Sequence, residues 1–491
     1  MGGDRRGSCG ADADASCCGH VHSAAGKVSA VRSFSLPAGD RDWPEAAGRL
    51  GLQHGSQSAS HRLPQFQARG ILGVLGFHGR GTVCGLYSAE AAVCRNRKTV
   101  KLRRQPEDFQ VTELTAVQPA AGPFALYRLT KTSLGTPEAI QAVCTRWNVH
   151  RKRISYGGLK DRHAVTSQYL TIHNGPRQSL QQKSLHVQYL GQVAAPFTAA
   201  GIDGNHFQLV LRDMTPAEVQ QAEAGCVTVQ QSGLPNYFDD QRFGSLGVSG
   251  EWIARAWCLS DWERALWLAL ADPHPDDPAA ERQQKQILRD HWGRWPECQQ
   301  ALGRSHRRSI ITYLSDKVKA GHPADFRGAL ARISIDLRGL YLSAWQSALW
   351  NRLLSRYLQA ALPAENLVSY DLLSGAAMFP ATPLSAEQLA AVTAQLPLPS
   401  ARIDHPDGLI GELLSQILQA EGIELRQIRV KYPRDSFFSR GSRSSLIFPQ
   451  QLTWAVENDE LYPGRQCLTL SFSLPRGSYA TILVKRLTGL S

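Results

Sequence analysis

The chain has 491 residues, 43% apolar and 20% charged, a composition that reads as an ordinary globular protein with at least two hydrophobic cores. Lys and Arg outnumber Asp and Glu by 54 to 42, and the resulting charge of +12 suits a polyanionic partner, most simply a nucleic acid. No apolar run reaches the roughly 18 residues of a membrane-spanning helix, which excludes that class, and the ten cysteines form no CxxC pair, so they read as reduced thiols of a cytosolic protein rather than a disulfide frame.

Residues 1–95 differ from the rest. Their first part is rich in Gly, Ala, Ser and Asp and lacks the apolar core of a signal peptide, and Asp4, Asp12 and Asp14 argue against an organelle transit peptide. Cys9, Cys17, Cys18, His20 and His22 match no standard zinc spacing. The segment is expected to be a poorly ordered extension.

From Arg97 the pattern sharpens. Arg97-Lys98 and Lys101-Leu-Arg-Arg104 form a basic run ahead of Phe109 and Val111, whose alternation predicts a strand. A second strand is predicted over Ala125–Thr130. Thr136-Pro137 then predicts a helix start, Thr as N-cap and Pro in first position, with Ile140, Val143, Cys144 and Trp147 giving a core face.

Tyr156-Gly-Gly-Leu-Lys-Asp-Arg-His-Ala-Val-Thr-Ser-Gln168 lies between predicted strands at Arg153–Tyr156 and Ser167–Ile172. Gly157 and Gly158 permit a tight turn or a close approach. Lys160 and Arg162 flank Asp161, and flanking cations favour an ionised carboxylate, a form suited to a nucleophile. For a bare Lys-Asp-Arg triplet the competing reading is a solvated turn.

Further strands are expected at Leu185–Val193 and Phe207–Leu211, and Thr215-Pro-Ala-Glu218 is a capping box opening a helix. Pro235-Asn-Tyr-Phe-Asp-Asp-Gln-Arg-Phe-Gly244 gathers three aromatics, an Asn, a Gln and an Arg within ten residues. Such a loop is a buried aromatic turn or a base pocket, in which rings stack and amides read base edges. Asp239 and Asp240 add negative charge there. Residues 262–453 turn helical, with a stripe through Tyr341, Trp345, Ala348, Leu349, Leu353 and Tyr357, a Ser385/Gln388 cap, and Gly422 ending the helix that begins near Leu409. Cys467–Leu474 alternates as a half-buried strand. Interleaved strands and helices argue a mixed α/β domain.

Four segments, in order, resemble motifs of the tRNA pseudouridine synthase D (TruD) family: Glu107-Asp-Phe-x-Val-x-Glu113, Gly158-Leu-Lys-Asp-Arg-His-Ala-Val-Thr-Ser-Gln168, Asn236-Tyr-Phe-x-x-Gln-Arg-Phe-Gly244 and Pro475-Arg-Gly-Ser-Tyr-Ala-Thr481. The resemblance covers about residues 97–487. It implies an α+β fold: a pseudouridine-synthase domain with a mixed, largely antiparallel sheet, split into residues 96–261 and 454–491 by an inserted α/β domain at residues 262–453. It implies conversion of a uridine in tRNA, at position 13, to pseudouridine, with Asp161 as nucleophile and no metal or other cofactor. It places Phe109, Asn236 and Phe238 at the target nucleotide. Arg103 stands where the family usually carries Lys, and Tyr479 where it usually carries Phe. Lys160 and Arg162 would hold Asp161 ionised or contact phosphate, and Arg440 and Arg443, in a basic run with Arg426, Arg429, Lys431 and Arg434, would contact RNA phosphates. The implied partner is tRNA in the cytoplasm, with no membrane and no protein partner. Another RNA target, or an RNA-binding protein without catalysis, is the alternative; an intact Asp161 argues against the latter.

Overall fold

The computed structural model describes residues 100–489. The extension over residues 1–95, its Cys and His residues, and Arg97-Lys98 lie outside them. The described residues contain the expected mixed sheet, with ten strands. Its order is Gln450–Asn458, Gln466–Pro475, Gly204–Met214, Phe109–Leu114, Val165–His173, Phe124–Thr132, Leu185–Val193 and Leu180–Gln182. Lys101–Leu102 also pairs with Gly204–Met214, and Ile154–Tyr156 with Val165–His173. Phe109–Leu114 and Val165–His173 run parallel, while the remaining neighbours are antiparallel.

The alternation that predicts the Phe109 strand has a direct structural cause. Phe109, Val111 and Glu113 are buried while Gln110 and Thr112 are only partly covered, as a period of two requires. Gly204–Met214 is the hinge between the two ends of the chain: Phe207 lies opposite Val111 on one side and Phe472 on the other. Its ring stacks on Phe472, centroids 5.4 Å apart, and meets the edge of Phe109 at 6.4 Å. Arg212 on the same strand draws together Asp108 (2.7 Å), Asp459 (3.1 Å) and Glu460 (2.8 Å). Those contacts, led by Glu460, raise its pKa above the ordinary arginine value. Arg212, Asp108 and Asp459 are buried, so removing one partner would strand a charge and cost on the order of 3–5 kcal/mol.

Helix Thr136–Trp147 covers one half of the sheet, packing Ala139, Ile140 and Val143 against Tyr127, Leu129, Leu170 and Val187. Its start differs from expectation. Gly135 is the N-cap and Thr136 the first helical residue, so the threonine hydroxyl is free for other partners. The capping boxes at Thr215/Glu218 and Ser385/Gln388 form as expected, and Gly422, at φ +63°, follows helix Gly408–Ala420.

Residues 262–453 surround helix Ile335–Ala361, which buries Trp345, Leu349, Trp350 and Leu353 completely. The segment also holds the hairpin Leu367–Leu372/Gly375–Pro380 and the pair Gln395–Pro397/Ser442–Ser444. Asn351 on the long helix accepts from the Phe238 N–H at 2.9 Å and donates to its carbonyl at 2.8 Å, which fixes the 235–244 loop. No helix among the described residues is long and apolar enough to cross a membrane.

Candidate active site

Asp161 sits in the loop between strands Ile154–Tyr156 and Val165–His173, its side chain 40% exposed. The two glycines before it differ. A Cβ on Gly157 would lie 2.3 Å from Ile202 Cδ1, so a larger residue there would push the isoleucine tip aside; a Cβ on Gly158 would meet nothing within 4 Å. Neither has a positive φ. The tight-turn expectation therefore reduces to one close approach.

The cation at Asp161 is not one of its chain neighbours. Arg103 Nη2 donates to Asp161 Oδ2 at 3.0 Å, and the Arg103 guanidinium lies 3.8 Å above the Phe109 ring. Arg103 holds a left-handed backbone, φ +64°, uncommon outside glycine. Lys160 turns away to Glu113 Oε1 (3.1 Å) and Asn205 Oδ1 (2.6 Å), and Arg162 lies outside the cavity beside Glu138 at 3.4 Å. Of the two expected uses of the flanking cations, holding Asp161 ionised or contacting phosphate, the first is not what the side chains do: they reach carboxylates on other elements.

Asp161, Arg103, Phe109, Lys160, Phe207 and Tyr479 share one cavity. Phe109 and Phe207 supply apolar surface, and Tyr479 stands at the start of helix Ala480–Thr488. Burial raises the Tyr479 pKa, against the pull of Arg242 and Arg443, so its phenol stays protonated at neutral pH. Leu159, 70% exposed, and Gln241 also line the cavity; both stand inside the motifs quoted above, which assign neither of them a role of its own.

Asn236, Phe238 and Arg443 form a second layer behind Tyr479. Phe238 meets the Tyr479 ring edge-on at 6.2 Å and Trp350 at 5.6 Å. Arg443 lies 4.3 Å over Phe238 and donates to the Asn236 carbonyl (2.8 Å), Asn236 Oδ1 (2.5 Å) and the Gly477 carbonyl (2.9 Å). Ser478 also donates to Asn236 Oδ1 at 3.1 Å, and Asn236 Nδ2 donates to the Ser444 carbonyl at 3.2 Å. Both ends of that amide are thus engaged within the protein, and it is 6% exposed. Two expectations change here. Asn236 and Phe238 brace the cavity wall rather than line it, and Arg443, expected on the surface, is half-buried with its guanidinium engaged by Asn236 and Gly477, burial lowering its pKa to about 10. Arg440, Arg429, Lys431 and Arg434 are exposed, and their side chains make no hydrogen bond or ion pair among the described residues. Asp239 and Asp240 both pair with Lys485, at 3.1 and 2.5 Å, so one ammonium offsets part of their charge and holds both carboxylates within the protein.

A family model described as tRNA pseudouridine synthase D (TruD) matches residues 94–487. The chain belongs to the tRNA pseudouridine synthase D family. TruD proteins are pseudouridine synthases, and membership makes this chain an isomerase. It is 29% identical over 402 residues to "Probable tRNA pseudouridine synthase D 1" of Methanococcus maripaludis, covering 79% of this chain and 99% of that one. It is 28% identical over 399 residues to "tRNA pseudouridine synthase D" of Leptospira interrogans, covering 79% and 95%. A crystal structure from Methanosarcina mazei assigned to TruD shares the fold, with a TM-score of 0.63 at 22% identity over 80% of this chain and 94% of that one. Arg103, at the place where the resemblance led to an expectation of lysine, reaches both Asp161 and Phe109 with its guanidinium.

Proposed function

We propose that this TruD protein isomerises the uridine at position 13 of a cytoplasmic tRNA, with Asp161 as nucleophile. The observation that carries this reading is a part-exposed carboxylate tied to Arg103 in a cavity walled by Phe109 and Tyr479. A uridine turned out of its stack would present its base to the Tyr479 ring, and base–aromatic stacking offsets the cost of unstacking. Asp161 attacks and the N1–C1′ bond breaks. The base rotates, C5 bonds to C1′, the bond to Asp161 breaks and frees its carboxylate, the C5 proton leaves and N1 gains one, so product and substrate have the same composition. Exposed Arg429, Lys431, Arg434 and Arg440 supply phosphate contacts along the approach. In this reading the catalytic domain is residues 96–261 with 454–491, and residues 262–453 are an insertion. The entry of Gln466–Pro475 into the sheet supports that division, and the unpaired, buried Cys144, Cys226, Cys258, Cys298 and Cys467 fit a reducing compartment.

The test is Asp161→Asn, nearly isosteric but a poor nucleophile. Single-turnover conversion of a tRNA transcript should vanish while RNA affinity persists. An Asn variant with wild-type turnover would sink the mechanism, and modification at a different uridine would sink the target.

A further inference from the structure

We propose that three buried side chains, Lys131, Thr136 and Gln168, form a bracket that positions Asp161 by holding the main chain of residues 158–161. The inference rests on the reading of Asp161 as nucleophile and deepens it.

Residues 158–161 lie outside any strand or helix, so no ladder sets the direction of their peptides. Side chains do so instead. Lys131 Nζ donates to the Asp161 carbonyl at 2.7 Å and to the Lys160 carbonyl at 3.3 Å. The Thr136 hydroxyl accepts from the Lys160 N–H at 3.0 Å and donates to Gln168 Oε1 at 2.9 Å. Gln168 Nε2 donates to the Gly158 carbonyl at 3.0 Å, closing a chain of hydrogen bonds from one end of the segment to the other. None of the three side chains is more than 1% exposed. They come from a strand, a helix start and a second strand, all fixed by the sheet and its covering helix.

Lys131 carries the most weight. It occupies the inward face of its strand, in register with Leu129 and Tyr127, where an apolar residue would ordinarily stand. Among the described residues no carboxylate lies within ion-pair distance of it; Asp161 and Glu138 attract it from farther away and Lys160 repels it. Burial accordingly lowers its pKa to about 8. A lysine held there against its own desolvation is placed to serve the two carbonyls it touches, one of which is that of Asp161 itself. A misplacement of about 1 Å at a reacting group can cost on the order of a hundredfold in rate, so a bracket of this kind acts on turnover before it acts on binding.

The experiment uses the full chain and a tRNA transcript, measuring the single-turnover rate at saturating RNA, the RNA Kd and the melting temperature. Thr136→Val removes the hydroxyl at nearly constant shape, and Thr136→Ser restores it. We expect T136V to lose about 10- to 100-fold in rate, T136S to stay within about threefold of wild type, and Kd to change less than about twofold in both. Lys131→Met, which keeps an unbranched chain one atom shorter and without the ammonium, should lose about 100-fold in rate with Kd likewise unchanged. Wild-type rates in T136V and K131M beside an inactive Asp161→Asn overturn the bracket alone. Equal losses in T136S and T136V that follow melting temperature also overturn it, because they assign Thr136 to stability. An active Asp161→Asn sinks the nucleophile reading and the bracket together.

Discussion

Replacing Arg103 by alanine removes two contacts at once: the 3.0 Å bond to Asp161 and the guanidinium 3.8 Å above Phe109. The ion-pair side chains are 27% and 40% exposed, so water screens the pair and its worth is about 0.2–1 kcal/mol. The ring contact adds about 0.5–1 kcal/mol. Alanine at φ +64° bears the same left-handed strain as arginine, so the backbone cost cancels in the comparison. Only worth realised in the transition state and not in the resting enzyme enters the rate; if the two contacts orient the carboxylate in that way, the loss of about 1–2 kcal/mol corresponds to roughly a 5- to 30-fold slower reaction. Arg103→Lys keeps the charge but neither the fork nor the flat stack, and should fall within about threefold of wild type. The assay is single-turnover conversion across a range of RNA concentrations, which separates rate at saturation from affinity. A loss confined to Kd would make Arg103 a phosphate contact and refute its role in orienting the carboxylate. An alanine variant at the wild-type rate would refute it outright.

The Tyr479 hydroxyl donates to no group among the described residues. Tyr479→Phe should therefore turn over within about threefold of wild type, while Tyr479→Ala forfeits stacking worth about 1–3 kcal/mol; a Phe variant as inactive as Ala would give the hydroxyl a chemical role. Arg440→Ala should weaken tRNA binding and flatten the plot of log affinity against log salt by about one contact, whereas Arg443→Ala should leave the slope alone and cost about 1–3 kcal/mol of stability by orphaning the Asn236 carbonyl and leaving Oδ1 with Ser478 alone; the reverse pattern in salt titrations and melting curves would refute the two assignments. Lys131 has a folded pKa of about 8, below an unfolded value near about 10.4, so its stabilising contribution is present above the unfolded value and lost as pH falls through about 8. Relative to Lys131→Met, the wild type should gain melting temperature from pH 7 to pH 10, and a constant gap would show that the ammonium is not desolvated.

Elements whose signal is local were legible in the sequence. The strand Leu185–Val193, both capping boxes and the stripe on helix Ile335–Ala361 each depend on residues within a turn or two of one another. The partners of Asp161 were not legible, because charge adjacency in the chain is a poor guide to adjacency in space. Lys160 and Arg162 flank it and reach elsewhere, while Arg103 arrives from 58 residues away on a left-handed backbone. Asn236 and Arg443 illustrate the same limit: motif chemistry names a polar group but not the direction it faces. Lys131 did leave a trace, a charge on the inward face of an otherwise apolar alternation. Thr136 left a misleading one, since a threonine before proline is also what an N-cap looks like.

The central strand has a consequence for how the protein is made. Gly204–Met214 takes one neighbour from early in the chain and the other from near its end, and Phe472 lies 472 − 207 = 265 residues after its partner Phe207. At a synthesis rate of about 5–20 residues per second, that side of the strand waits on the order of 10–50 s for its partner. During the wait its unpaired N–H and C=O groups can template pairing with another nascent chain. Tyr479 emerges only after the strand that closes this edge. A ribosome that stalls before residue 466 therefore releases a polypeptide that is both an aggregation hazard and incapable of reaction.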